Sequence, residues 1–129
     1  PPAYRRLHDV AEEAFSVIAA AIRPGATAAE LLEAAGSIDR AGFTVCDDVV
    51  HGYGGGYLPP VLRTPATSHG APPEMALQPG MMLVVQPNVI AAERSMGVQT
   101  GELLVVTDGG AESMHGLRRG LLRSGDRGI

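Results

Sequence analysis

The chain has no tryptophan and no lysine, a single cysteine, and aromatic residues at only 4% of its 129 positions. With so few rings, a core has to be assembled from Ala, Val, Leu, Ile and Met, and apolar residues at 45% supply enough of them. One cysteine, Cys46, excludes an intramolecular disulfide and fits a reducing compartment. It lies in an apolar run, which predicts a buried, inert thiol. No apolar stretch reaches the ~20 residues that span a bilayer. No signal-peptide pattern is present either, so the expected compartment is the cytoplasm, with no membrane partner. All ten basic residues are arginine, and the net charge is −4. That balance excludes the clustered positive footprint of a nucleic-acid binder. The C-terminal arginines Arg118, Arg119, Arg123 and Arg127 form the one basic concentration. They are read as a solvated end, with residues 117–129 flexible. The length suits one domain, and the start at Pro1-Pro2 without Met fits either a trimmed chain or the later part of a longer protein.

Helical periodicity is clearest at the start. Tyr4, Leu7, Ala11, Phe15, Ile18 and Ile22 recur at spacings of three and four, and Val10, Ala14, Val17 and Ala21 widen the stripe. Pro24-Gly25 ends this helix. Thr27-Ala-Ala-Glu30 then reads as a capping box, in which the hydroxyl takes the amide three residues on and the carboxylate reaches back. Leu31, Leu32, Ala35 and Ile38 form the buried face of this second helix, with Gly42 as its stop. Residues 43–50 read as one strand. Asp47 and Asp48 within it suggest an acid/base pair or a hard metal site, but adjacent strand residues face opposite ways and cannot converge.

The glycine-dense stretch His51-Gly-Tyr-Gly-Gly-Gly-Tyr57 follows, and its histidine invites a catalytic or metal reading. Residues 59–79 carry six of the ten prolines, which excludes helix and central strand and predicts a loop or edge segment. His69 within it reads as a turn residue. Met81 to Val85 is a continuous apolar run of the kind buried on both faces. Residues 89–92 and 98–107 read as further strands, Asp108-Gly109-Gly110 as a hairpin turn, and Ala111 to Met114 as a return strand. The sum is α+β, with two N-terminal helices on one face of a curved, mostly antiparallel sheet.

Ala20-Ala-Ile-Arg-Pro-Gly-Ala-Thr-Ala-Ala-Glu30, His51-Gly-Tyr-Gly54, Gln78-Pro-Gly-Met-Met-Leu-Val-Val-Gln-Pro87 and Gly97-Val-Gln-Thr-Gly-Glu-Leu-Leu-Val-Val-Thr107 occur in that order. As an ordered set they resemble the creatinase, aminopeptidase P and methionine aminopeptidase family, nearest to its Xaa-Pro dipeptidase and aminopeptidase P branch. The resemblance implies the second half of a pita-bread fold. It also implies hydrolysis of Xaa-Pro bonds by two divalent metals, such as Mn, Co or Zn, held by two Asp, one His and two Glu. Carried over position by position, His51 matches the histidine ligand, Gln86 stands at the first glutamate and Gly101 at the second. Glu102, one residue along, should point to the opposite face. The two Asp lie upstream of the matched region, and a second active-site histidine falls at Leu58.

One ligand position of five is therefore kept, no metal cofactor is expected, and the chain alone is expected to be inactive. Three functions compete: a metallopeptidase piece, a metal-free pseudoenzyme binding peptides or a protein, and a degenerate fragment keeping only the fold. For the second, Gln86 and Gln99 would line a neutral polar groove, and Tyr53 and Tyr57 would stack on proline-containing peptides. An exposed sheet with an unpaired edge further suggests a homodimer.

Overall fold

The computed structural model describes residues 1–121, so Arg123 and Arg127 lie outside the described residues. Helix α1 (Pro2–Ala21) buries Leu7, Val10, Ala11, Ala14, Phe15 and Ile18. Tyr4 and Val17, expected on the same stripe, are exposed at its margins. Gly25, at a φ of 81°, turns the chain into α2 (Ala28–Ala35). The capping box forms as the sequence predicts: the Glu30 amide donates to Thr27 Oγ1, and the Thr27 amide donates to Glu30 Oε2 at 2.7 Å. Arg23 also pairs with Glu30 at 2.9 Å, and it is the first cause holding that carboxyl at about 2. The helical path continues through α3 (Ser37–Arg40). There the amides of Gly42 and Phe43 donate to the carbonyls of Asp39 and Ile38, a Schellman stop with Gly42 at a φ of 82°. Leu31, Ala34, Ala35 and Ile38 are buried, while Leu32 is only half-buried.

Among the described residues, eight strands follow in two antiparallel sheets. β1 (Thr44–Val45), β5 (Asn88–Ile90) and β6 (Gly97–Gln99) form a small one, in the order β1-β5-β6. The larger sheet runs β3-β2-β4-β7-β8, from β2 (Val50–Tyr53), β3 (Tyr57–Leu62), β4 (Met82–Val85), β7 (Glu102–Thr107) and β8 (Gly110–Ser113). α1 packs on α2 and on β5 and β6. The α+β class is thus as the sequence predicts, with no helix of the described residues long and apolar enough to cross a membrane.

Two strand boundaries and one burial pattern differ from expectation. Residues 43–50 are two strands, one in each sheet, because the Asn88 side chain takes the amides of Cys46 and Asp47 out of any ladder. Residues 98–107 are likewise two, broken at Thr100-Gly101. β4 is not buried on both faces: Leu83 and Val85 face the helices, while Met82 and Val84 lie half-open. Cys46 is exposed rather than buried, since this break places it at the surface.

Pro59 and Pro60 sit in β3, the edge strand, where the register shifts between His51 and Gly52. Two residues without an N–H blunt that edge as a pairing template. The rest of the proline segment crosses back beneath the helices. Leu77, fully buried, exchanges backbone hydrogen bonds with Gly25 and Ala26 at 2.9 and 2.8 Å.

Candidate functional site

Cross-strand partners share a face, so the ladder register sorts the side chains of the large sheet. Leu62, Val50, Val85 and Glu102 stand in one row, all buried toward the helices. The next row holds Val61, His51, Val84 and Leu103, and it faces the other way. Glu102 therefore points away from the His51 row, as its one-residue offset predicts. Its residue is 8% exposed and its carboxylate lies on the helix side, 4.0 Å from the Arg119 guanidinium.

His51 is buried at 4% exposure, and the Tyr57 ring stacks over it with centroids 3.8 Å apart. Its Nδ1 lies 2.9 Å from the carbonyl oxygen of Gly52. A carbonyl only accepts, so Nδ1 carries the proton and the neutral ring keeps Nε2 as an acceptor. That is the arrangement of a metal-ligating histidine. Gly52 itself is obligatory: a Cβ there would run into the carbonyl oxygens of Pro59 and, at 2.9 Å, Leu58.

The positions beside it do not complete a metal site. The Gln86 side chain uses both ends within the protein, Nε2 donating to Asp48 Oδ2 at 3.1 Å and Oε1 accepting from Gln99 Nε2 at 3.3 Å. At Gly101 an added Cβ would meet Val85 O at 2.8 Å and the Gln86 Cα at 3.0 Å. The backbone there has closed up, so the position lacks room as well as a carboxylate. Among the described residues no three His, Cys, Asp or Glu side chains come together as a ligand set. The residues present do not fit a pair of divalent metals.

What holds this polar cluster together is Asn88, a residue outside every motif in the sequence. Asn88, 3% exposed, accepts from the amides of Cys46 and Asp47 at 2.9 and 3.0 Å, and donates to the carbonyls of Asp48 and Gln86 at 2.7 and 3.2 Å. Its only sequence signal is an amide one residue past a proline at the end of an apolar run. Asp47 and Asp48 separate as expected: Asp47 is exposed and Asp48 buried.

Burial raises the Asp48 carboxyl above its ordinary range. The Gln86 amide opposes the rise, the Asp47 charge adds to it, and nearby His51 lowers it. A raised native value means that the folded chain binds this proton more tightly than the unfolded one. The resulting stability is complete below the unfolded value of 3.8 and is lost as pH climbs through the folded value. Replacing Asp48 by Asn is therefore expected to help the wild-type fold more at neutral pH than in acid. Urea denaturation of both proteins from about pH 3 to pH 7 checks this, with the stability difference moving in the variant's favour as pH rises.

On the open face lies a cavity of about 520 Å³, lined by Tyr53, Val84, Gln86, Gln99, Leu103 and His115 and by the Thr100–Glu102 corner. It brings together three of the five residues singled out from sequence: Tyr53, Gln86 and Gln99. His51 and Tyr57, stacked on one another, are not in its lining. Tyr57 remains 61% exposed, its outer face turned to solvent, and Leu58 is exposed beside it. No helical or strand period marks His115 in the sequence, and only the turn of chain after β8 brings it to Leu103.

The model of a family described as metallopeptidase family M24 matches residues 1–108. No curated protein sequence matches the chain. Among solved structures, the chain is similar to a prolidase from Pyrococcus horikoshii at 21% identity and a TM-score of 0.78, with 95% of this chain and 34% of that one covered. It is similar to dipeptidase PepE from Mycobacterium ulcerans at 24% identity and a TM-score of 0.72, with 92% and 30% covered. An Xaa-Pro dipeptidase from Bacillus anthracis matches at 20% identity and a TM-score of 0.69, with 92% and 32% covered. The fold is shared, and the chain spans about a third of each of these structures.

Proposed function

This chain belongs to metallopeptidase family M24, and from that footing we propose that it is a metal-free, non-hydrolysing member whose open-face cavity binds peptides. The observation that carries this reading is the Gln86 amide, engaged at one end by Asp48 and at the other by Gln99. A carboxylate holding a dication would stand there with its oxygens bare. An amide hydrogen-bonded at both ends instead stiffens a neutral wall.

The cavity that results has the make-up of a ligand site, apolar at Val84 and Leu103 with a few convergent polar groups. Gln99 and Tyr53 offer both donors and acceptors, which suits the alternating N–H and C=O of a peptide. Tyr53 gives a ring face against which a proline could lie, while Tyr57 is committed to His51 on one side.

The competing reading, cleavage of Xaa-Pro bonds, is favoured by one feature, the Nε2 acceptor of His51. Ala-Pro dipeptide separates the two. Titrated into labelled protein, it is expected to shift the side-chain amide signals of Gln86 and Gln99, and to remain uncleaved with Mn²⁺, Co²⁺ or Zn²⁺ present. Turnover would establish the hydrolase. Neither shift nor turnover would leave the chain as a fragment that keeps only the fold.

A further inference from the structure

The segment after β8 ties the two faces of the molecule together, and neither α1 nor the cavity accounts for it alone. On the open face, Leu103 is held at both backbone groups by this segment. Its N–H donates to His115 Nε2 at 3.2 Å, and its carbonyl accepts from the Met114 amide at 2.9 Å. On the helix face, four residues later, Arg119 Nη2 donates to Glu12 Oε2 at 2.7 Å, and the guanidinium lies 3.2 Å from the centroid of the Phe15 ring. Arg119 is therefore a docked side chain rather than the solvated residue expected from sequence.

Between those two anchors sits the Thr100–Gly101 corner. Thr100 Oγ1 donates to the other oxygen of Glu12 at 2.9 Å, and Glu102 faces Arg119 Nη1, which is buried without a hydrogen-bond partner. Met114, Leu117 and Leu121 in the same segment are exposed. The segment thus has little apolar burial to hold it beyond the stem of Arg119.

The geometry points to a latch. Residues 114–121 are fastened to α1 by Arg119, and so hold both His115 and the Thr100–Gly101 corner in place as one wall of the cavity. Arg119 is a positioning residue: it does not line the cavity, and it acts through Glu12 and Thr100 on one side and through the chain to His115 on the other. This rests on the cavity being a ligand site, as proposed above, but the latch itself has a signature that needs no ligand. Because the Leu103 N–H donates to Nε2, the neutral His115 ring must carry its proton on Nδ1 while the latch is closed. Release removes that constraint and returns the ring to the ordinary mixture of tautomers.

The experiment uses the full chain as wild type, Arg119→Ala and Arg119→Lys, with the His115 tautomer read by long-range ¹H–¹⁵N spectra and amide exchange read at Leu103. In Arg119→Ala the proton is expected to redistribute toward Nε2, and Leu103 exchange is expected to speed up by about tenfold or more while α1 and β4 stay protected. Arg119→Lys should fall between, keeping the charge toward Glu12 but not the planar stacking on Phe15. An unchanged tautomer and unchanged Leu103 exchange in Arg119→Ala would overturn the latch.

The same samples are then titrated with Ala-Pro. Binding weakened about tenfold in Arg119→Ala supports coupling of latch to cavity, and equal affinity in both proteins overturns that coupling. Binding to neither protein strikes at the peptide reading, and the latch then stands or falls on the first two readouts.

Discussion

Writing glutamate back at both ligand positions, as Gln86→Glu with Gly101→Glu, is expected to destabilise the chain and to yield no peptidase. The Gly101 substitution brings a Cβ to 2.8 Å from Val85 O and to 3.0 Å from the Gln86 Cα. Both contacts are backbone, so no side-chain rotation relieves them. Overpacking of this kind costs about 1–3 kcal/mol. The Gln86 substitution removes the amide that donates to Asp48 Oδ2 and puts a second carboxylate in its place, beside a buried acid whose pKa is already raised. Losing a donor to a charged group costs a further ~1.5–3 kcal/mol. The two sites touch, so the costs need not add, but a combined loss of about 3 kcal/mol or more is a large part of a small domain's stability. Urea denaturation at pH 5 and pH 8 measures it, with the larger loss at pH 8, where the paired carboxylates cannot share a proton. A stable double variant with measurable Xaa-Pro hydrolysis would show that the ligand positions are only chemically, not geometrically, closed.

Asn88→Ala is the second large loss. The Asn88 side chain satisfies the amides of Cys46 and Asp47 and the carbonyls of Asp48 and Gln86, all around a residue that is 3% exposed. Each bond contributes about 1 kcal/mol net, and buried groups left without partners cost ~1–3 kcal/mol apiece, so the expected loss is about 3–5 kcal/mol. The effect should also be directional. Asn88→Asp keeps the acceptor toward the two amides but turns an anionic oxygen on two carbonyls, so it is expected to rescue little. Thermal and urea melts of the three proteins decide this. Side-chain amide signals of Gln86 in either variant should move as well, because its backbone carbonyl loses a donor.

These two cases mark where sequence legibility stopped. The helices were readable because their signals are local: the apolar stripe of α1, the Thr27–Glu30 box and the Gly42 stop each depend on residues within one or two turns. The strands were readable from their apolar runs and the turn signals between them, and their class followed. Breaks inside them were not, because they are made by partners far away in the chain. Asn88 splits residues 43–50 from a distance of some forty positions, and the closure at Gly101 depends on the backbone of β4 beside it.

The site divided along the same line. His51, Gln86 and Gly101 could be placed by ordered motifs. The pairing of His51 with Tyr57, the docking of Arg119 and the entry of His115 into the cavity are contacts between segments with no shared pattern. Cys46 illustrates the converse: an apolar run predicts burial only while the strand continues, and here it ends at that residue.

On the proposed reading, the ligand positions of this M24 chain hold a closed hydrogen-bond network around Gln86 in place of a metal site. Metal content tests it most directly. The purified full chain is equilibrated with Mn²⁺, freed of unbound ion by dialysis, and measured for metal per protein by mass spectrometry, with His51→Ala alongside. No stoichiometric manganese is expected in either protein. Stoichiometric manganese in the wild type that is lost in His51→Ala would contradict it.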